Sequence, residues 1–261
     1  MSGAGAFTPE WLAMREGADA RARAARPVAL LRGHGRTVAD LGCGTGSLGR
    51  WLAPRLPGAR HWILFDHDPV LLEAARTSVP ADTVETRLLD LADLRPRDLE
   101  GATLVAASAL LDMLTGDTVA AVADSVAAVG CPALFTLSVT GRVELSPSDP
   151  LDHVFGEAFN GHQRRGGLLG PDAVAAAADA FAGRGYRCLA FPSPWRLDAT
   201  RAELTEAWLR GWVGAAAAQA PFLPAEAYLE RRLADLAAGR LSAAVHHDDL
   251  LLLPPGFAPP R

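Results

Sequence analysis

Apolar and polar positions along this chain fall into two kinds of block. Short apolar runs bounded by Gly, Pro or an acid read as buried strands; longer stretches with apolar residues three and four apart read as helices. Thr8-Pro9-Glu10 is a cap and first turn for a helix carrying Trp11, Leu12 and Met14. A first strand ends at Asp40, and Leu48, Trp51, Leu52 and Leu56 then keep helical spacing in a helix that Pro54 shortens. Strands are expected at 61–66, 84–89, 103–107 and 133–139, the last starting after Pro132. Between them come a helix from Pro69 and one with the face Val119, Val122, Ala123 and Val126. Pro171 opens a further helix that Gly183 to Gly185 end, and strands six and seven are expected at 186–191 and within 241–253.

This alternation predicts an α/β fold, a doubly wound and mainly parallel sheet with right-handed crossovers. Two segments exceed the minimum. Residues 141–170 are rich in Gly, Pro, Asp and His and read as a long functional or mobile loop. Residues 199–239 carry two apolar stripes, Leu204/Trp208/Leu209/Trp212/Val213 and Tyr228/Leu229/Leu233/Leu236, and read as a helical hairpin. The expected organisation is one domain, 1–261, with an N-terminal helical segment, 1–32. Segments 141–170 and 199–239 are expected as insertions that cap a substrate.

Composition narrows the function classes. All 25 basic residues are arginine and the net charge is −5, with no basic stripe; nucleic-acid binding is not expected. Arg21, Arg23 and Arg26 cluster and read as the solvated face of a helix. No run is long and apolar enough for a membrane span. Met1 to Ala6 lacks a charged region followed by an apolar stretch, so no secretory signal is expected. The 3 cysteines, Cys43, Cys131 and Cys188, are odd in number and widely spaced, which points to a reducing cytoplasm. Oligomeric state stays open between monomer and homodimer.

The chemistry concentrates in Val38–Gly49. An apolar strand runs into Asp40, then Gly42, Gly44 and Gly46 alternate, then a helix begins near Ser47. Such a turn offers backbone N–H groups to a nucleotide-type ligand at the carboxyl edge of the sheet. Gly44, Gly46 and Gly49 also satisfy G-x-G-x-x-G, with Asp66 closing the next strand, which fits a dinucleotide. Asp40 decides against that: its carboxylate repels a pyrophosphate and welcomes a cationic amino group.

The string Asp40-Leu-Gly-Cys-Gly-Thr-Gly46 closely resembles the first motif of class I S-adenosylmethionine-dependent methyltransferases, and the resemblance continues through His61–Asp66, Arg87–Leu91 and Thr103–Asp112. It implies S-adenosyl-L-methionine as cofactor and a seven-stranded sheet of order 3-2-1-4-5-7-6 with strand seven antiparallel. It also implies roles. Asp40 lies by the methionine portion, and Gly42, Gly44 and Gly46 wrap it. Asp66 accepts the ribose hydroxyls, Asp90 approaches the adenine amino group, Leu91 lines the ring, and Ser108 and Ala109 sit beside the cofactor. Asp90 has a rival reading as a turn cap, and Asp68, before Pro69, reads as a helix cap.

On the acceptor side, His153 and His162 in the long loop are candidate bases. Asp112 either orients substrate or caps the turn before Met113. Arg164 and Arg165 either bind a carboxylate or face solvent. His246-His247-Asp248-Asp249 has two potential ligands on each face of a strand, too few for a metal, so none is expected. Trp195 reads as filler of the seam against the 199–239 helices. The expected activity is methyl transfer to a small molecule, with oxygen preferred and nitrogen and carbon open. The rivals are a non-catalytic S-adenosylmethionine-binding regulator and an NAD-dependent oxidoreductase.

Overall fold

The computed structural model describes residues 8–258; the Met1–Ala6 stretch read for a secretory signal lies outside them. Helix α1 (Pro9–Ala22) starts at Thr8, whose Oγ1 accepts the Trp11 N–H at 3.3 Å. Helix α2 (Ala25–Leu30) leads to β1 (Thr37–Leu41), and the glycine turn leads into α3 (Ser47–Leu52). That helix tightens into a 3₁₀ turn at Ala53–Arg55, as Pro54 requires. Then come β2 (His61–Asp66), α4 (Pro69–Ser78), β3 (Thr83–Leu88), β4 (Leu104–Ser108) and α5 (Gly116–Val129). The second half holds β5 (Ala133–Ser146), α6 (Asp152–Gln163), α7 (Ala173–Ala182), β6 (Arg187–Pro192), β7 (Trp195–Asp198), α8 (Ala202–Gln219), α9 (Ala225–Ala237) and β8 (Ser242–Leu253).

The strand order is β3-β2-β1-β4-β5-β8-β6, with β8 antiparallel to its neighbours. This is the expected order, the last strand in sequence being β8. Among the described residues there are eight strands, not seven. The Pro192-Ser193-Pro194 step breaks the edge strand, which resumes at Trp195 and pairs β8 from Trp195↔Val245 to Asp198↔Ser242. Proline is tolerated on an edge strand because no neighbour needs its missing N–H.

Residue parity sorts the core. Ala39, Leu41, Ile63, Phe65, Val105 and Ala107 pack on one face under α5 and α7. Val38, Trp62, Leu64, Leu104 and Ala106 pack on the other under α2, α3 and α4. Both faces are covered, so the central strands read as continuous apolar runs.

The expectation of a long loop at 141–170 is corrected. β5 continues to Ser146, paired with β8 through Ser146↔Ser242, and α6 follows. Two register shifts let the strand bend, and Leu137 within it takes φ 57°. The Asp249 carboxylate accepts the Leu137 N–H at 2.8 Å and supports that conformation. Helix α6 buries Phe155 against Tyr228, rings stacked 4.1 Å apart, and the 199–239 hairpin forms as α8 and α9. Together these helices make a third apolar cluster that includes Trp195, Trp208 and Trp212.

Candidate active site

The site starts from strand parity. Asp40, Asp66 and Ser108 lie on the α3 face of β1, β2 and β4, at or near the carboxyl ends of those strands. The turn after β1 holds Gly42, Gly44 and Gly46 at φ 62°, 54° and 84°. A side chain at these angles is strained. At Gly46 a Cβ would also lie 3.0 Å from Val79 and 3.2 Å from the Ala75 backbone, so α4 packs directly on the turn. Asp66 braces the turn from below: its Oδ2 accepts the Gly44 N–H at 2.8 Å and its Oδ1 the Asp68 N–H at 3.0 Å.

Above the turn is a cleft of about 250 Å³. Asp40, Gly42, Gly44, Asp66 and Ser108 line it, with Leu12, Arg15 and Asp19 of α1 forming the opposite wall. Gly46 adjoins it beneath Thr45 and Ser47, which line it. At its far end are Ala109, Leu110 and Met113, and Ala109 holds φ 51° although it has a side chain.

The electrostatics centre on Asp40. It is 1 % exposed, and neither carboxylate oxygen has a hydrogen-bond partner among the described residues. Burial raises it to about 8; Arg23 opposes the shift and Asp66 adds to it. Arg23, read from sequence as solvated, is buried instead. It sits at the α1–α2 joint, with its guanidinium 5.4 Å above the Trp51 ring, and the next N–H, that of Ala24, is held by Asp249 at 2.7 Å. Its Nη2 donates to Ser108 Oγ at 2.9 Å and to Ser47 Oγ at 3.4 Å, while Nε and Nη1 have no partner among the described residues. Cys43 also lines the cleft; burial, with Asp40 and Asp66 nearby, pushes its thiol up and removes it as a neutral-pH nucleophile.

Several candidate residues are not brought into this cleft. Asp90 is exposed and caps a 3₁₀ turn through the Ala92 N–H at 2.9 Å, and Leu91 is buried in the core under α5. His153 is 84 % exposed on α6, beside a second groove of about 600 Å³ between α6 and the extension of β5. His162, further along α6, lines neither cavity; burial and Arg165 lower its pKa. Asp112 does not line the cleft, although Leu110 and Met113 on either side of it do, and burial raises its pKa against the pull of Arg15. Arg164 pairs with Asp172 and Arg165 with Gln219, both exposed. On β8, His247 and Asp249 are buried on one face and His246 and Asp248 lie on the other, the expected alternation. Trp195 fills the seam against α8 and donates its Nε1–H to Asp19 at 3.0 Å.

Sequence reasoning missed the α1 wall and Arg23. Arg23 directly follows a helix end that no glycine or proline marks, so the basic cluster reads as one exposed face.

Residues 38–132 match the family model described as a methyltransferase domain. No curated protein matches the chain. A putative methyltransferase from Bacillus halodurans is similar at a TM-score of 0.52 and 14% identity, over 87% of this chain and 95% of that one. A SAM-dependent methyltransferase from Thiobacillus denitrificans, solved with S-adenosyl-L-homocysteine, gives a TM-score of 0.44 and 17% identity over 95% and 92% of the two chains. A cyclopropane synthase from Mycobacterium tuberculosis gives 0.47 and 14% over 96% and 87%. The Bacillus structure shows a shared fold, and the glycine turn, Asp66 and Ser108 fall within the stretch that matches the methyltransferase-domain model.

Proposed function

We propose that this chain is a class I S-adenosylmethionine-dependent methyltransferase acting on a small molecule. One observation carries the cofactor assignment. Asp40 holds two unpaired carboxylate oxygens, sealed from water, in the wall of a cleft built on a glycine turn. A buried carboxylate without a partner is costly, and a ligand ammonium is the group that would satisfy it. A dinucleotide would bring its pyrophosphate to the same turn and meet that carboxylate instead.

The residues fit the group in other respects. Among the described residues Gly44 has only Leu12 near its missing Cβ, at 3.4 Å, so main chain faces the cleft there. Asp66 spends one lone pair on the Gly44 N–H of the turn and one on the Asp68 N–H, and has others for ribose hydroxyls. When bound, S-adenosylmethionine supplies an electrophilic methyl group on a sulfonium. The chain's part is to hold it, exclude water with α1, and align an acceptor near Ala109–Met113. Oxygen is the acceptor atom we favour. Asp112, next to the lining residue Met113 and raised by burial, is the proposed group that orients the acceptor or takes its proton. The acidic net charge and the small cleft support a metabolite over a nucleic acid.

Calorimetry tests the reading. Wild-type protein is expected to bind S-adenosylhomocysteine and not NAD, and to transfer label from methyl-labelled S-adenosylmethionine to a metabolite extract. Binding of NAD alone would overturn it; binding of S-adenosylhomocysteine without any transfer would leave a regulator.

A further inference from the structure

We propose that Arg23, acting through Ser47 and Ser108, builds an anion subsite in the cleft, and that this subsite and Asp40 together clamp the zwitterionic amino-acid end of the cofactor. The inference rests on the cofactor reading above and adds to it the means by which the ligand's carboxylate is recognised.

Three observations carry it. A guanidinium has only donors, so the Nη2 contacts make both serine oxygens acceptors. Each hydroxyl keeps its own hydrogen, and neither Ser47 Oγ nor Ser108 Oγ has another partner among the described residues. Both serines line the cleft, so two O–H donors with a buried positive charge behind them converge on one region. A neutral acceptor gains only the hydroxyl hydrogen bonds; an anion gains both donors and the field of Arg23.

The second observation is Arg23 itself. It is 5 % exposed, and among the described residues it makes no salt bridge and its Nε and Nη1 are unpaired. Burial works against its charge, and so does Arg15; Asp19, Asp249 and Asp40 oppose that loss at longer range. A buried arginine left this way has uncompensated charge that a bound anion would neutralise. The third is the position of Asp40, the unpaired buried acid of the same cleft. An acid and a cation, neither with a partner of opposite charge in direct contact among the described residues, match a ligand carrying an ammonium and a carboxylate on neighbouring atoms. A nucleoside without an amino-acid tail would satisfy neither. Arg23 is therefore a positioning residue, and it lies outside the stretch 38–132 that matches the family model.

The test is calorimetry with three ligands. S-adenosylhomocysteine carries both charged groups, decarboxylated S-adenosylhomocysteine only the ammonium, and 5′-methylthioadenosine neither. For Arg23→Met, affinity for S-adenosylhomocysteine is expected to fall about 10–100-fold, with the other two within about 2-fold of wild type. Ser108→Ala should repeat the pattern with a smaller loss, and Arg23→Lys should recover part of it by restoring the charge. If Arg23→Met does not fold, the Ser47→Ala/Ser108→Ala double variant decides in its place. An equal loss for all three ligands, or an unchanged affinity for S-adenosylhomocysteine, overturns the clamp. Wild-type protein that binds none of the three overturns the cofactor reading instead.

Discussion

A carboxylate sealed from water with no hydrogen-bond partner opposes folding unless it holds a proton, and Asp40 is in that position. Its folded value of about 8 stands well above the ~3.9 of an unfolded aspartate. Between the two, the folded protein keeps a proton that the unfolded chain has released. Stability is therefore fully present below the lower value and is lost as pH rises through the upper one. Asparagine imitates the protonated acid without titrating. Asp40→Asn is expected to melt higher than wild type in the ligand-free state, by a margin that widens from about pH 5 to about pH 8. The same variant should lose most of its S-adenosylhomocysteine affinity, because it offers a ligand ammonium no charge. Melting scans across pH with and without ligand check both parts; a margin that stays flat would show that Asp40 is ionised in the free protein. Asp40 would thus trade stability for binding, as residues at ligand sites do.

At the scale of elements, the cleft depends on how α1 is held. Glu16 makes a two-pronged pair with Arg50, at 2.8 and 2.5 Å, and the same guanidinium bonds the Thr45 carbonyl and Ser78 Oγ. One side chain thereby joins α1, the glycine turn and α4. The pair is about 30% exposed, so water screens it and a modest effect is expected. Glu16→Gln should lower S-adenosylhomocysteine affinity about 2–5-fold and raise amide exchange along α1, with the glycine turn less affected. Unchanged exchange in α1 would show that packing alone holds it. Little of this was legible beforehand. The strands and caps were, because parity and short-range bonding are written locally: Asp40, Asp66 and Ser108 share a face by position, and Thr8 and Asp68 cap as placed. The end of β5 was not. Thr140–Ser146 is polar and glycine-broken, and it is strand only because β8 continues beside it. Helix α6, with Phe155 its one buried residue, forms by docking onto α8. Tertiary pairing outweighs a weak local signal in both.

Across the whole molecule, the insertions reach the cleft through their packing on α1. Expected as a lid over the acceptor, they contribute no residue to the lining of the cleft. Their apolar cluster instead takes in Ala18, with Trp11 and Met14 packed against it, so α1 lies between the helical unit and the cleft. Trp195 extends the link: its N–H bonds Asp19, and the Arg15 guanidinium lies 4.9 Å over its ring, while Arg15 and Asp19 themselves line the cleft. The unit's centre is Trp212, 2 % exposed, stacked on Trp208 at 5.7 Å and close to Phe155 and Tyr228. Trp212→Ala removes the largest apolar group there and should cost about 3–5 kcal/mol. If the unit were a separate decoration, that loss would stay within α6, α8 and α9. The packing of α1 predicts otherwise. Amide exchange should rise in α1 as well as in the insertion helices, the parallel strands β1, β2 and β4 should keep their protection, and S-adenosylhomocysteine affinity should fall together with α1 order. Exchange confined to the insertion helices, with affinity unchanged, would mean that the cleft wall stands without them. Their contribution would then have to lie with the acceptor, in the groove between α6 and β5 where His153 is found.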